Sequence, residues 1–259
     1  MFSLNPPLRD WPTRKVWIVG ASSGIGAALA RALLLRGARV VLSARNGHAL
    51  DAIAQSHPSS AIVCPFDASQ PAAWRGAAGR VHATDDPVDL MVYCAAQYEP
   101  QSVLQVHAAQ VAATLEVNLA GAYYGLEAVL PTMIARRRGA IALVASVAGY
   151  MGLPGAAVYG PIKAALINLA ELLYCELTGR GLAVYLINPG FVATPMTAKN
   201  RFRMPALRTP EQAAEAIIRG FERGSFEIHF PKRFTLALKA LRLLPQYLRL
   251  KMLLRLVRN

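Results

Sequence analysis

The stretch Val16-Trp17-Ile18-Val19-Gly20-Ala21-Ser22-Ser23-Gly24-Ile25-Gly26 joins a short β-branched and aromatic run directly to a glycine-rich turn. An Ala/Leu-rich pattern follows as far as Arg36, and Gly37 is a typical residue for ending a helix. Glycines in such a turn let the backbone approach a phosphate closely, and the following helix offers free N–H groups. A plain strand–helix turn is the alternative. The spacing favours a dinucleotide site formed by Gly20, Ser22, Ser23, Gly24, Ile25 and Gly26.

The alternation of strands and helices continues along the rest of the chain. Apolar runs predict strands at 16–19, 39–43, 61–66, 90–94, 140–145, 182–187 and 226–230. Helical patterns lie between them, including one long helix at 108–135 and one that opens with a capping box at Thr209 and Gln212. This alternation is typical of a parallel sheet covered by helices on both faces. We therefore predict an α/β fold with a single Rossmann-like, doubly wound parallel sheet of about seven strands.

The sequence predicts one domain over residues 1–259. No linker interrupts the alternation, so the core spans about 14–230 and a C-terminal amphipathic helical extension covers about 232–259. The 259 residues, 54% of them hydrophobic, suffice for one large core. No stretch approaches the ~18 uninterrupted apolar residues of a membrane span, and residues 1–14 have no signal-peptide core. Three cysteines within apolar runs indicate buried free thiols and a cytoplasmic protein: Cys64, Cys94 and Cys175.

The net charge of +13 is concentrated near the C-terminal end of the sequence. No acidic residue follows Glu227, and Pro245 divides the segment beyond it. Leu, Met and Val alternate with the charges, which is unlike a nucleic-acid-binding arm, so we expect no nucleic-acid partner. The segment can lie on an anionic membrane surface, or pack against its own domain or a partner subunit. Its basic residues are Lys232, Arg233, Lys239, Arg242, Arg249, Lys251, Arg255 and Arg258.

A second stretch, from Ser146 to Lys163, carries the candidate chemistry. Tyr159 and Lys163 are four residues apart where a helical pattern begins, so their side chains can lie on one face. A free tyrosine has a pKa of about 10, and a nearby ammonium group lowers that pKa towards the working range. The Ser146 hydroxyl, after an apolar run, can hold a carbonyl oxygen. These residues suggest a proton donor, its activator and an orienting group, although Tyr-x-x-x-Lys alone also occurs on ordinary helix faces.

The end of the second predicted strand distinguishes NAD from NADP. An acidic residue there would bind the ribose 2′-hydroxyl, but this chain has Ser43-Ala44-Arg45-Asn46. A guanidinium in place of a carboxylate favours a 2′-phosphate. Arg45 as an ordinary surface arginine is the alternative. We predict that NADP(H) is favoured over NAD(H).

With these motifs, the chain resembles the short-chain dehydrogenase/reductase family over about residues 14–230. Ser146 lies thirteen residues before Tyr159, which is the family's usual separation. The resemblance implies an oxidoreductase that transfers hydride between NADPH and a carbonyl/alcohol pair. The matching motifs, in family order, are the turn at Gly20 to Gly26, Asp67, Asn118, Ser146, Tyr159 with Lys163, and Pro189-Gly190 followed by Thr194.

The resemblance also implies a role for each matching residue. Tyr159 would exchange a proton with the substrate oxygen, and Lys163 would lower its pKa and bind the nicotinamide ribose. Ser146 would hydrogen-bond the substrate oxygen, and Asn118 would hold a water that links Lys163 to solvent. No metal ligand is expected, and the expected assembly is a homodimer or homotetramer. Beyond the glycine turn and Arg45, the implied cofactor contacts are Asp67 at the adenine, Ala95, Tyr159, Lys163, and Pro189, Gly190, Val192 and Thr194 at the nicotinamide.

Two departures from the family pattern lie near these positions. The family usually has Asn-Asn-Ala-Gly after the fourth strand, where this chain has Tyr93-Cys94-Ala95-Ala96. The asparagines normally steady the sheet centre and the cofactor edge, and the glycine gives the backbone room near the adenosine ribose. The bulk of Tyr93 and the methyl group of Ala96 are therefore expected to lower cofactor affinity. Pro161 follows Tyr159 by two residues, and proline is tolerated in the first turn of a helix.

The segment after Thr194 usually forms a lid over the substrate in this family. Its Met196, Phe202 and Met204 suggest an apolar substrate part. The basic residues of the same segment suit either an acidic group on the substrate or a solvated loop: Lys199, Arg201 and Arg203.

Three functions therefore remain open. The first is an NADP-dependent reductase or dehydrogenase of an apolar or lipid-like carbonyl/alcohol substrate. The second is a 3-oxoacyl-carrier reductase, whose acidic carrier would suit a basic surface. The third is a nucleotide-binding interaction protein with little catalysis, which the intact set of Ser146, Tyr159 and Lys163 argues against.

Overall fold

The computed structural model describes residues 3–82, 86–200 and 202–258. Seven parallel strands form one sheet in the order β3-β2-β1-β4-β5-β6-β7, which confirms the predicted fold class. The order changes direction between β1 and β4, and ligands of doubly wound sheets bind at such a crevice. The strands are β1 (Lys15–Val19), β2 (Arg39–Ser43), β3 (Ala61–Val63), β4 (Leu90–Tyr93), β5 (Gly139–Val144), β6 (Leu182–Pro189) and β7 (Glu227–Phe230).

Helices cover both faces of this sheet. Along β1, Val16 and Ile18 pack into one apolar cluster with α1 and α7, whereas Trp17 and Val19 pack into another with α3, α5 and α6. This alternation follows from the two-residue period of a strand buried on both sides. The helices are α1 (Gly24–Leu35), α2 (Gly47–Ala54), α3 (Pro71–His82), α4 (Ala108–Leu115), α5 (Gly121–Ala135), α6 (Tyr159–Leu177), α7 (Pro210–Glu222), α8 (Lys232–Leu243) and α9 (Gln246–Arg258).

Two elements differ from the sequence-based expectation. The single helix predicted at 108–135 is interrupted by a π-helical segment, Glu116–Ala120, between α4 and α5. Its apolar pattern resembles that of an α-helix, so periodicity does not reveal it. The strand predicted at 61–66 ends at Val63, shortly before Pro65, which has no N–H for the strand ladder.

The predicted start signals of two helices are present. Thr209 and Gln212 form a capping box at the start of α7, and α6 begins at Tyr159 with Pro161 in its first turn. The prediction of buried thiols is correct for Cys64, whereas Cys94 is only partly buried and Cys175 is exposed. Cys175 lies on the outward face of α6, and an apolar run along a helix contains residues of both faces.

The C-terminal helices differ in how firmly they join the sheet. Thr235 of α8 is fully buried, and Lys239 donates to the Glu227 carboxylate at the start of β7. The same carboxylate accepts from the Tyr150 hydroxyl at 2.6 Å and from Asn188 Nδ2 at 2.8 Å. We call this group the Glu227 tie. By contrast, α9 exposes most of its described side chains, and no described helix is both long and apolar enough to cross a membrane.

Candidate active site

A cleft of about 1160 Å³ lies at the carboxyl ends of the central strands. The turns that follow β1, β2, β4, β5 and β6 line it, which is where doubly wound sheets bind their ligands. The cleft brings together these sequence-predicted residues: Gly20, Ser22, Ser23, Gly24, Ile25, Arg45, Asp67, Ala95, Ser146, Tyr159, Lys163, Pro189, Gly190, Val192 and Thr194.

The glycine turn is packed so tightly that side chains are excluded at two positions. Gly20 has a φ of +95°, and a Cβ there would lie 2.5 Å from the Ala95 nitrogen. Gly26 does not line the cleft, but a Cβ on it would lie 2.1 Å from the Gly20 oxygen. The Ser43 carbonyl oxygen holds the turn by accepting from Gly20 and Ala21 N–H at 2.7 and 3.0 Å. These glycines therefore bring the start of α1 against the central strands.

The start of α1 fits a pyrophosphate group. The Ser23 side chain does not cap the helix, and the N–H groups of Gly24 and Ile25 have no protein acceptor within the described residues. Free N–H groups and the positive end of the helix dipole together form an anion site. The cleft is also large enough for a dinucleotide, so the residues present fit the predicted cofactor.

Ser146, Tyr159 and Lys163 meet where β5 and α6 face each other. The Ser146 hydroxyl accepts from Ala148 N–H at 3.1 Å, which orients it and leaves its own proton free to donate. Lys163 is buried, and its ammonium group donates to the Val144 carbonyl oxygen at 2.8 Å. Its Nζ lies 5.3 Å from the centroid of the Tyr159 ring. The predicted helical spacing thus places both side chains on the same side of α6.

The electrostatics of this group differ from the expectation. Burial raises the pKa of Tyr159, and an interaction with the Ser146 hydroxyl offsets only part of that rise. Burial also lowers the pKa of Lys163 to about 8. The sequence predicts that the Lys163 ammonium group lowers the pKa of Tyr159, but here burial raises that pKa. Tyr159 is therefore a protonated phenol at neutral pH.

Asn118 lies in the π-helical segment and is fully buried. Its Oδ1 accepts from the Gln97 N–H at 2.6 Å, and its Nδ2 donates to the Gln97 carbonyl oxygen at 2.9 Å. The amide thereby fixes the turn after β4 at the edge of the cleft. Single π-turns within helices are frequent at functional sites. Both polar ends of the Asn118 amide thus bind Gln97. The water contact predicted for Asn118 stays a prediction.

The departure at Tyr93 is accommodated away from the cleft. The Tyr93 ring is buried and stacks on Trp74, with the ring centroids 6.2 Å apart. Its hydroxyl donates to the Val117 carbonyl oxygen. Space for this hydroxyl exists because residue 121 is glycine, where a Cβ would lie 2.2 Å from it. The bulk of Tyr93 therefore leaves the cofactor cleft open, whereas Cys94, Ala95 and Ala96 line it.

The end of β2 leaves Arg45 as the group available to a ligand. The Ser43 hydroxyl accepts from Trp17 Nε1 at 2.9 Å, and the Asn46 side chain caps α2 by accepting from Ala49 N–H. Arg45 lines the cleft near Asp67. The Asp67 Oδ1 accepts from the Ser69 N–H and hydroxyl at 2.9 and 2.8 Å. Burial opposes ionisation of Asp67, but these hydrogen bonds and Arg45 lower its pKa on balance.

The segment after β6 closes the other side of the cleft. The Gly190 N–H donates to the Phe230 carbonyl oxygen at 2.8 Å, which joins the end of β6 to β7. Thr194 N–H donates to the Thr197 hydroxyl at 3.0 Å. This short turn holds the residues predicted at the nicotinamide against the glycine turn, since a Cβ on Gly24 would touch Thr194.

The lid segment is fastened to the turn after β4. Lys199 forms an ion pair with Glu99, with Nζ and Oε2 2.6 Å apart, and the Tyr98 hydroxyl donates to Asn200 Oδ1 at 2.7 Å. Lys199 is thus partly neutralised, which weakens its candidacy as a site for an acidic substrate group. Of the other two basic lid residues, Arg203 is exposed, and Arg201 lies outside the described residues.

Two cleft residues were not predicted from the sequence. The Tyr98 ring packs edge-on against Tyr159, with centroids 4.9 Å apart. The Cys94 thiol lies near Lys163, and burial raises the pKa of this thiol to about 11. Cys94 lies in the stretch Tyr93 to Ala96, where the chain departs from the family pattern, and that departure could have drawn attention to it. Tyr98 lies two residues beyond this stretch, and the sequence carries no signal for it.

Comparisons with known proteins agree with this geometry. A family model described as short chain dehydrogenase matches residues 14–204. An uncharacterized oxidoreductase of Myxococcus xanthus is 33% identical over 235 residues, which cover 90% of this chain and 93% of that protein. A 3-oxoacyl-(acyl-carrier-protein) reductase of Escherichia coli is 31% identical over 180 residues, covering 70% of this chain and 74% of that protein. A short-chain dehydrogenase from Sphingobium yanoikuyae, solved in complex with NADPH, superposes with a TM-score of 0.78 at 24% identity, covering 90% of this chain and 97% of that one.

Proposed function

Because the chain belongs to the short-chain dehydrogenase family, we propose that it is an NADP-dependent oxidoreductase that interconverts an apolar carbonyl compound and its alcohol. The observation that carries the proposal is the convergence of Ser146, Tyr159 and Lys163 on the cleft that the glycine turn opens. Ser146 can orient the substrate oxygen, Tyr159 can exchange a proton with that oxygen, and Lys163 supplies positive charge beside Tyr159.

In the reducing direction, a bound NADPH supplies the hydride to the carbonyl carbon. Ser146 donates a hydrogen bond to the carbonyl oxygen, because its own acceptor lone pair already holds Ala148 N–H. Tyr159 transfers its proton to that oxygen as negative charge develops there. Tyr159 holds its proton at neutral pH, as a donor in this direction must, and the positive charge of Lys163 eases the release of that proton. In the oxidising direction the tyrosine would have to lose that proton first.

Lys163 stabilises the phenolate that forms when Tyr159 gives up its proton. One of its three N–H donors is held by Val144, which leaves two for the nicotinamide ribose and for proton return to Tyr159. Asn118 supports this group by fixing the turn that carries Tyr98 beside Tyr159. We retain as proposals the water role of Asn118 and the cofactor contacts at Asp67, Ala95 and Pro189 to Thr194.

The preference for NADP(H) is supported by the position of Arg45. We expect Arg45→Ala to weaken NADPH binding by about 10–100-fold, because it removes charge-assisted hydrogen bonds to the 2′-phosphate, and to leave NADH binding unchanged. Titration of nicotinamide fluorescence measures both constants. Arg31→Ala is the matched control, since Arg31 is an exposed arginine of α1 outside the cleft. Equal losses for the two cofactors would refute the assignment.

An apolar substrate is supported by the lining of the cleft near Tyr159. Leu153, Phe191, Met196 and Phe202 line the same cleft as Tyr159, and the Glu99 partner of Lys199 reduces the attraction of Lys199 for an acidic group. A 3-oxoacyl-carrier reductase is the second candidate, favoured by the relative from Escherichia coli. Steady-state NADPH oxidation with alkyl ketones and with 3-oxoacyl-carrier thioesters separates the two. Substantially higher kcat/KM for the carrier thioester would favour the second candidate.

A nucleotide-binding protein with little catalysis is a third candidate. The altered stretch at Tyr93 favoured it, but Tyr93 points away from the cleft. NADPH binding without turnover of any carbonyl substrate would favour this third candidate over the two enzymes. We also propose a cytoplasmic location, on the strength of the buried thiol of Cys64, a homodimeric or homotetrameric assembly, and a single domain.

A further inference from the structure

The C-terminal helices carry an exposed surface that the proposed reaction does not use. A lone exposed leucine is ordinary, but a cluster of apolar side chains marks an interaction site. We define the tail surface by its exposed residues. These are the apolar Leu236, Leu243, Tyr247, Leu248, Leu250, Met252 and Leu254 and the basic Lys232, Arg233, Arg242, Lys251 and Arg255.

Helix α9 presents most of this surface. Its Leu253 is buried, so the helix touches the rest of the molecule along a narrow line. On the exposed side, Tyr247, Leu250 and Leu254 form one row, because they are three, four and seven residues apart. Lys251 and Arg255 form the adjacent row, and Lys251 Nζ lies 4.4 Å from the Tyr247 ring centroid. Parallel apolar and cationic rows are typical of helices that lie in a lipid interface.

The charge of the tail surface selects among possible partners. In the described part of the chain, none of its five exposed cations forms an ion pair. A second copy would bring the same cations against one another, so self-association through this surface is opposed by repulsion. Nucleic acid would neutralise the charges but leave the leucines in water. We infer that the tail surface docks on an anionic lipid bilayer, which accepts both rows.

The start of α8, which carries Arg233 and Leu236 of the tail surface, lies beside the mouth of the cleft. Phe234 in the first turn of α8 is 5.8 Å from Phe191, and Phe191 is 5.6 Å from Phe202, measured between ring centroids. Phe191 and Phe202 line the cleft, and Phe202 is 53% exposed. A docked molecule therefore holds its cleft mouth near the bilayer. This step rests on the proposed function: an apolar carbonyl substrate dissolved in the bilayer enters the cleft from there.

Vesicle sedimentation of the full chain tests the docking directly. We expect binding to vesicles of phosphatidylcholine mixed with phosphatidylserine, weakening as salt is added, and little binding to phosphatidylcholine alone. The double variant Lys251→Glu with Arg255→Glu should weaken binding by at least ~25-fold, because each lost cation near an anionic surface costs about fivefold. Arg31→Glu with Arg75→Glu changes the net charge equally at exposed sites on α1 and α3 and should change binding little.

The apolar row is tested by a second variant. Leu250→Gln with Leu254→Gln should weaken vesicle binding by at least ~10-fold, because both side chains leave water in the docked state. Leu35→Gln is the control, since Leu35 is 76% exposed on α1. Light scattering of the protein without vesicles tests the alternative that a second copy of the chain covers this surface. A concentration-dependent dimer that Leu250→Gln with Leu254→Gln breaks would overturn the inference and assign the surface to a second copy.

Equal binding to neutral and anionic vesicles, or no binding to either, also overturns the inference. Turnover measurements distinguish a failure of the docking inference from a failure of the proposed function. Anionic vesicles should lower the KM of a long-chain ketone in the unaltered protein but not in Lys251→Glu with Arg255→Glu, while kcat for a water-miscible ketone stays equal. If vesicles bind but no ketone is reduced, the docking stands and the proposed function fails.

Discussion

Replacing Tyr159 by Phe is expected to lower kcat by about 10²–10⁴-fold, because it removes the hydroxyl placed to exchange a proton with the substrate oxygen. The ring itself stays, so its edge contact with Tyr98 and its packing beside Lys163 are retained. NADPH affinity should therefore change little. Single-turnover absorbance at the nicotinamide band measures the chemical step, and fluorescence titration measures the affinity.

The matched control for this substitution is Tyr98→Phe. It makes the same chemical change in a ring 4.9 Å away and removes the hydrogen bond to Asn200. We expect a loss below ~10-fold, because a hydrogen bond to a neutral group contributes about 1 kcal/mol. If Tyr159→Phe keeps more than a tenth of the activity, or if Tyr98→Phe is equally impaired, Tyr159 is not the proton donor.

Replacing Lys163 by Met is expected to abolish turnover and at the same time to stabilise the fold. Activity should fall by at least ~10²-fold, since the phenolate of Tyr159 loses its neighbouring charge. Stability should rise by about 1–3 kcal/mol at neutral pH, because burial penalises the ammonium form of Lys163 and lowers its pKa to about 8. Calorimetry of the two proteins measures the change in Tm.

The pH dependence of this effect has a definite sign. The folded chain releases the Lys163 proton near pH 8, whereas the unfolded chain holds it up to about 10.5. The cost of the buried charge is therefore fully present below pH 8 and disappears as the pH rises towards 10.5. The Tm advantage of Lys163→Met should shrink over the same range.

Lys239→Met is the matched control for the stability change. Lys239 donates to the Glu227 carboxylate, so its removal leaves that carboxylate facing Tyr150 and Asn188 without a cation. The same substitution should therefore lower Tm at Lys239 and raise it at Lys163. A fall in Tm for both variants would mean that the Lys163 ammonium stabilises the fold.

Much of the fold follows from local patterns in the sequence. The run from Val16 to Gly26 encodes a strand, a tight turn and a helix start within one short segment, and the capping box at Thr209 is likewise local. The relation between Tyr159 and Lys163 depends only on helical spacing. These features need no knowledge of distant contacts, which is why the sequence suffices to predict them.

The features that the sequence does not reveal depend on contacts between distant segments. Tyr93 fits because Gly121 leaves room for its hydroxyl, and neither residue alone indicates the other. The raised pKa of Tyr159 comes from burial, which the spacing to Lys163 does not report. The π-helical segment around Asn118 has the apolar pattern of an ordinary helix. Packing decides each of these, and packing is a property of the assembled chain.

The Glu227 tie also bears on how the protein is made. Tyr150 directly follows the turn that carries Ser146, and its hydroxyl donates to the Glu227 carboxylate. The positive charge beside that carboxylate comes from Lys239 of α8, which follows all seven strands in the sequence. During synthesis the sheet can assemble before the cation that balances Glu227 has left the ribosome. A chain that ends before α8 thus contains Tyr159 and Lys163, but the Glu227 carboxylate behind the serine turn lacks its Lys239 partner.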